Sequence, residues 1–133
     1  MSDQKKLKIL IADDEPHIRL MLKTIITSMG AEIAGEAKNG AEAIEFYKKN
    51  LPNITLLDIN MPVKTGVDAL KEIKAEFPNA LILMMTSVAD MKTVEKCIEL
   101  GAANYMLKDT PIPEIKNMIK ETWAEYKEQL KGE

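Results

Sequence analysis

Ile54-Thr55-Leu56-Leu57-Asp58-Ile59-Asn60-Met61-Pro62 decides the fold of this chain. Its opening run, residues 54–57, is mostly apolar and too short for a stable helix. It does not alternate, which is the pattern of a strand covered on both faces. A carboxylate follows at once, and then a turn carrying a proline. Residues 9–12 and 80–85 are near-continuous apolar runs of the same kind. Residues 32–35 alternate and belong nearer a sheet edge, and residues 104–107 make a fifth run.

Helical spacing fills the gaps. Ile18, Leu22, Ile25, Ile26 and Met29 share one face, and Gly30 stops that helix. Asn39-Gly40 introduces Ala43, Ile44 and Tyr47, which end before Leu51-Pro52. Val67, Leu70, Ile73 and Phe77 mark a third helix closed by Pro78. Met91, Val94, Cys97, Ile98 and Leu100 mark a fourth closed by Gly101, and Ile115, Met118, Ile119, Trp123, Tyr126 and Leu130 a fifth. Strict alternation of strand and helix predicts an α/β, doubly wound, five-stranded parallel sheet with helices on both faces.

The bulk properties set limits. At 133 residues the chain is the size of one domain. The expected core covers about residues 7–122, with 123–133 as a helical extension or the start of a linker. A hydrophobic share of 46% excludes wholesale disorder. A net charge of -3 gives no electrostatic footprint for nucleic acid, and no apolar run spans a membrane. A single cysteine, Cys97, excludes a disulfide framework. With no apolar leader at the start, the expected location is cytoplasmic.

In such a sheet, ligands bind beyond the carboxyl ends of the strands. Asp13 and Asp14 follow the first run, Asp58 the third, Thr86 and Ser87 the fourth, and Lys108 the fifth. Three converging carboxylates repel one another unless a cation sits among them. Oxygen ligands without His or Cys point to Mg²⁺, which binds one or two carboxylates together with phosphate oxygens. Thr86 adds a hydroxyl donor and Lys108 a point charge suited to phosphate. Each residue alone has a plain structural role; Asp14, for example, is placed to cap the helix that begins near Pro16. Together they form a phosphoryl site with a carboxylate able to act as nucleophile.

At this point the sequence resembles the receiver domains of two-component response regulators, over about residues 8–122. The motifs are Ile11-Ala12-Asp13-Asp14-Glu15-Pro16, Leu57-Asp58-Ile59-Asn60-Met61-Pro62 with Gly66, Met85-Thr86-Ser87, and Gly101-Ala102-Ala103-Asn104-Tyr105-Met106-Leu107-Lys108. The resemblance implies the flavodoxin-like strand order 2-1-3-4-5, a property of the family rather than a deduction from the runs. It implies a phosphorylation-activated switch, not an enzyme. Asp58 would accept a phosphoryl group from a sensor histidine kinase, and Mg²⁺ would be held by Asp13, Asp14, Asp58 and the backbone carbonyl of Asn60. Thr86 and Lys108 would bind phosphoryl oxygens. Tyr105 would swing inward as Thr86 moves. Asn60 and Val88, two residues beyond the acceptor and the threonine, would flank the path of the hydrolytic water. An isopropyl group cannot orient that water, so slow self-dephosphorylation is expected. The signal would leave through the fourth helix, fifth strand and fifth helix, toward an output partner, a missing effector domain or a dimer mate.

Several residues depart from the motifs or stand outside them. Asp109 follows Lys108 where many receivers have a cis proline, so a trans or strained bond is expected there. His17, the only histidine, is read as exposed or on the pocket rim. Methionines are read as core filler, with a partner surface around Met84, Met85, Met91 and Met106 as the weaker alternative. The stripe through Trp123, Tyr126 and Leu130 either covers a partner or begins a linker. The rival enzyme reading, an aspartyl-phosphate hydrolase, needs a second carboxylate at position 60. Asn60 cannot transfer the proton.

Overall fold

The computed structural model describes residues 6–87 and 90–131. Five strands and five helices alternate: β1 Lys8–Ala12, α1 Pro16–Ser28, β2 Glu32–Ala37, α2 Gly40–Asn50, β3 Ile54–Asp58, α3 Gly66–Glu76, β4 Ile82–Thr86, α4 Met91–Glu99, β5 Asn104–Leu107 and α5 Ile112–Lys131. The sheet is parallel throughout, in the order β2-β1-β3-β4-β5.

Burial explains the unbroken apolar runs. Every residue of β3 and β4 is buried, as are the last four of β1. Alternate residues face opposite sides. Leu10, Leu57 and Met84 pack with Ala43, Tyr47, Leu70, Ile73, Val94 and Cys97 beneath α2, α3 and α4. Ile11, Leu56 and Met85 pack with Leu22, Ile26, Ile115 and Ile119 beneath α1 and α5. Truncating one such leucine to alanine costs about 2–5 kcal/mol, so both faces are needed to hold the sheet.

Local signals place most helix ends. Pro16 opens α1, and Gly30, at φ 82, takes the chain out of it. The Asn39 side chain accepts from the Glu42 N–H at the start of α2. Thr65 and Asp90 cap α3 and α4 in the same way.

The strand limits move slightly from the sequence expectation. β2 runs to Ala37 because its ladder with β1 continues to the Ala12–Ala37 pair, past an irregularity between Ile9 and Leu10. β4 begins at Ile82 because its ladder begins with the Thr55–Ile82 pair, although Ala80 and Leu81 are buried. α5 starts before Ile115, since the Pro111 carbonyl already accepts from Glu114 and Ile115. Trp123 and Tyr126 stack at 5.7 Å between centroids and pack onto the α1–α5 side of the core. The Tyr126 hydroxyl donates to the Asn79 carbonyl at 3.0 Å. Those two aromatics thus cover their own domain, and Leu130 is the exposed end of the stripe.

Candidate functional site

The parallel ladders bring the ends of β1, β3, β4 and β5 to one edge. Asp13 leaves β1 and is fully buried; its backbone N–H donates to the Ala37 carbonyl at 3.0 Å. Glu15 N–H donates to Asp13 Oδ1 at 2.8 Å, which fixes that carboxylate. Arg19 donates to the Asp13 carbonyl at 2.7 Å and pairs with Glu36, so a helix residue braces the turn from behind. Asp58 ends β3 and is only 2% exposed. Asp14 is exposed at the rim. Carboxylate oxygens of Asp13, Asp14 and Asp58 all lie within 4.8 Å of one another.

Among the described residues, one cation enters this cluster. Lys108 Nζ stands 2.8 Å from Asp13 Oδ2, 2.8 Å from Glu15 Oε1 and 3.1 Å from Asp58 Oδ2. Burial alone would lower the Lys108 pKa, but Asp13, Glu15 and Asp58 outweigh it and raise it above the ordinary value. Burial and then the Asp13 charge push Asp58 up to about 7, against the pull of Lys108 and of the Asn60 N–H, which approaches Asp58 Oδ1 at 3.3 Å. Lys108 draws Glu15 below the usual carboxylate range.

Among the described residues, four carboxylates against one ammonium leave the pocket anionic. Asp13 Oδ2 and Asp58 Oδ2 are buried and, despite the nearness of Lys108, neither receives a hydrogen bond of good geometry among the described residues. Such oxygens are costly without a further cation. Their number, hardness and burial fit a divalent ion such as Mg²⁺.

The loop after Asp58 is held by close packing. Gly66 N–H donates to the Ile59 carbonyl at 2.8 Å, and Gly40 N–H to the Lys64 carbonyl at 2.9 Å. Lys64 N–H donates to the Pro62 carbonyl at 2.7 Å around Val63, whose φ is 67. That three-residue turn is a strained γ-turn, seated next to the site. Lys64 also pairs with Glu72 on α3.

Thr86 ends β4 and is 3% exposed; its carbonyl accepts from the Lys108 N–H at 2.9 Å. Tyr105 on β5 is half-buried and packs onto the α2–α4 side of the core. Asp13, Asp14, Asp58, Asn60, Thr86 and Lys108 thus share the carboxyl edge of the sheet, with Tyr105 three residues from Lys108. Val88 lies outside the described residues. No peptide bond among the described residues is cis, so the Lys108–Asp109 bond is trans. His17 is exposed, 3.7 Å from Glu15. Cys97 is fully buried. Met84, Met85 and Met106 are buried as well, which leaves only Met91 of that group at the surface.

The sequence gives no site role to Glu15 or Arg19, and marks Gly40 only as a helix start. Glu15 stands next to the acidic pair, which is a weak signal. Nothing local announces the partner of Arg19 or that of Gly40.

Residues 9–120 match the family model described as the response regulator receiver domain. The chain is 45% identical over 101 residues to the chemotaxis protein CheY of Thermotoga maritima, covering 76% of this chain and 84% of that one. In structure it is similar to the signal receiver domain of the putative response regulator NarL from Mycobacterium tuberculosis, with a TM-score of 0.86 and 26% identity, covering 91% of this chain and 98% of that one. It is also similar to a chain of the CheX-CheY-BeF3-Mg complex from Borrelia burgdorferi, with a TM-score of 0.85 and 28% identity, covering 88% of this chain and 89% of that one.

The chain belongs to the response regulator receiver domain family. It is a phosphorylation-activated switch of two-component signalling, a phosphoacceptor module that works with histidine kinases and output domains. Receiver domains bind Mg²⁺ at an acidic pocket, and Asp13, Asp14 and Asp58 form such a cluster here. None of the described helices is long and apolar enough to cross a membrane.

Proposed function

We propose that Asp58 is the phosphoacceptor of this switch and that a sensor histidine kinase is its donor. An Asp58 carboxylate oxygen attacks the phosphorus of the kinase phosphohistidine. A phosphorus–oxygen bond forms as the phosphorus–nitrogen bond breaks, and that electron pair returns to the imidazole ring. The observation that carries this reading is the buried Asp58 carboxylate at a strand end, beside Asp13 and Asp14 and 3.1 Å from Lys108.

Asp13, Asp14, Asp58 and the Asn60 backbone carbonyl would hold Mg²⁺, whose charge offsets the repulsion between carboxylates and phosphoryl oxygens. Lys108 pairs with one phosphoryl oxygen and the Thr86 hydroxyl donates to another. These contacts exist only in the phosphorylated state, so they supply the differential energy a switch needs. Tyr105 moves inward as Thr86 is drawn away. The change reaches α4, β5 and α5, where an output partner, an effector domain or a dimer mate reads it. Asn60 and Val88 set the rate of self-dephosphorylation, and Val88 makes it slow. The protein works in the cytoplasm, and its acidic charge argues against nucleic-acid binding by this segment.

The test loads the protein with Mg²⁺ and beryllofluoride and follows NMR shifts around Tyr105. Wild type should respond strongly and Thr86→Ala weakly, although both bind the mimic. Equal responses would contradict the coupling.

A further inference from the structure

We propose that Glu15 is a positioning residue that competes with the incoming phosphoryl group for the Lys108 ammonium, and so sets how readily the switch is phosphorylated. This rests on the reading of Asp58 as acceptor and Lys108 as the phosphoryl-binding cation.

Lys108 Nζ has three carboxylate partners, Asp13, Glu15 and Asp58. Two of them belong to the acidic cluster that a divalent ion would neutralise. Glu15 stands outside that cluster, yet approaches Lys108 as closely as Asp13 does, at 2.8 Å. Once the cluster is neutralised, Glu15 remains as the anionic partner of the lysine. An ammonium at contact distance from a carboxylate presents less net charge to a phosphoryl oxygen, and one of its three donors is already used.

The Glu15 side chain is free for this role. It occupies the N-cap position of α1 but makes no side-chain capping bond. The first turn of α1 hangs instead on the Glu15 backbone carbonyl, which accepts from Ile18 and Arg19, both at 3.1 Å. The Glu15 side chain is 42% exposed against 8% for Lys108, so it approaches the lysine from the solvent side. It also lies 3.7 Å from the exposed His17 imidazole. Removing its charge therefore frees Lys108 without disturbing the helix.

The experiment compares wild type, Glu15→Gln and Glu15→Ala at saturating Mg²⁺, with and without Lys108→Met. Reaction with acetyl phosphate is followed by intact mass, and beryllofluoride affinity by titration. Both Glu15 variants should react about 2–5 times faster and bind beryllofluoride more tightly by a similar factor, the range expected of a partly exposed ion pair. The gain should vanish in the Lys108→Met background. The Lys108 ammonium signal of the metal-free protein, read by ¹⁵N NMR, should shift on Glu15→Ala.

Unchanged or slower reaction in both Glu15 variants would overturn the proposal. So would an undiminished gain without Lys108, which would make Glu15 only a source of general repulsion. An unmoved Lys108 signal would also overturn it. Labelling that survives Asp58→Ala would instead sink the reading of the acceptor on which the proposal stands.

Discussion

A Cβ atom on Gly66 would lie 1.8 Å from the carbonyl oxygen of Asp58. No side chain fits that gap, so the first residue of α3 and the last residue of β3 are locked backbone to backbone. Gly66→Ala must push the turn after Asp58 outward. The expected cost is about 2 kcal/mol or more of stability, because the obstacle is main chain and not a side chain that could rotate. Asp58 and Asn60 should shift with the turn, and phosphoryl acceptance should fall at least about tenfold. Urea unfolding and acetyl phosphate labelling check the two effects; normal labelling in a folded Gly66→Ala protein would contradict the second.

Val63 offers the opposite opportunity. It holds φ 67 at the centre of a γ-turn, and at 83% exposure its side chain gains little from packing. A β-branched residue is poorly suited to that backbone. Val63→Gly should raise stability by about 1 kcal/mol, the relieved strain exceeding the added entropy of the unfolded chain. A lower urea midpoint would contradict this.

Thr55 is fully buried in β3, and its hydroxyl has no hydrogen-bond partner among the described residues. Thr55→Val keeps the shape and removes the unsatisfied group. It should stabilise the fold by about 1 kcal/mol without altering phosphoryl acceptance. Thermal unfolding together with labelling tests both halves.

The raised Asp58 pKa gives a pH dependence of unusual sign. In the folded, metal-free protein Asp58 titrates at about 7, against an ordinary value of 3.8. Between those values the folded state holds a proton that the unfolded state has lost. Its contribution to stability is therefore full below about pH 4 and is lost as pH rises toward 7. Without metal, wild type should lose on the order of 4 kcal/mol relative to Asp58→Asn between pH 4 and 8, the shift from 3.8 to about 7 at about 1.4 kcal/mol per unit. Mg²⁺ at pH 8 should restore stability to wild type more than to Asp58→Asn. Parallel stability–pH curves for the two proteins in a chelator would contradict the account.

Much of this site was legible because a parallel sheet converts chain order into position. Asp13, Asp58, Thr86 and Lys108 each stand directly after an apolar run, and parallel strands point those ends the same way. The two-sided burial of β3 and β4 was readable for the same reason. What stayed hidden depends on contacts between distant segments. Glu15 and Lys108 are separated by 93 positions, and only closure of the sheet brings them together. Gly40 reads locally as a helix start, yet its second duty is to fit under the Lys64 carbonyl, where a Cβ would come to 2.3 Å. Val63 carries a strand-forming side chain in a γ-turn, so its propensity points away from its conformation. Trp123 and Tyr126 continue an apolar stripe in sequence, and only the packed helix shows that their own domain covers them.

Asp58, in a metal-loaded acidic pocket, is the proposed acceptor of the phosphoryl group. Intact-mass spectrometry after incubation with acetyl phosphate and Mg²⁺ tests it most directly. One phosphoryl group should add to wild type, and none to Asp58→Ala or to wild type in a chelator. Equal labelling of wild type and Asp58→Ala would contradict the assignment.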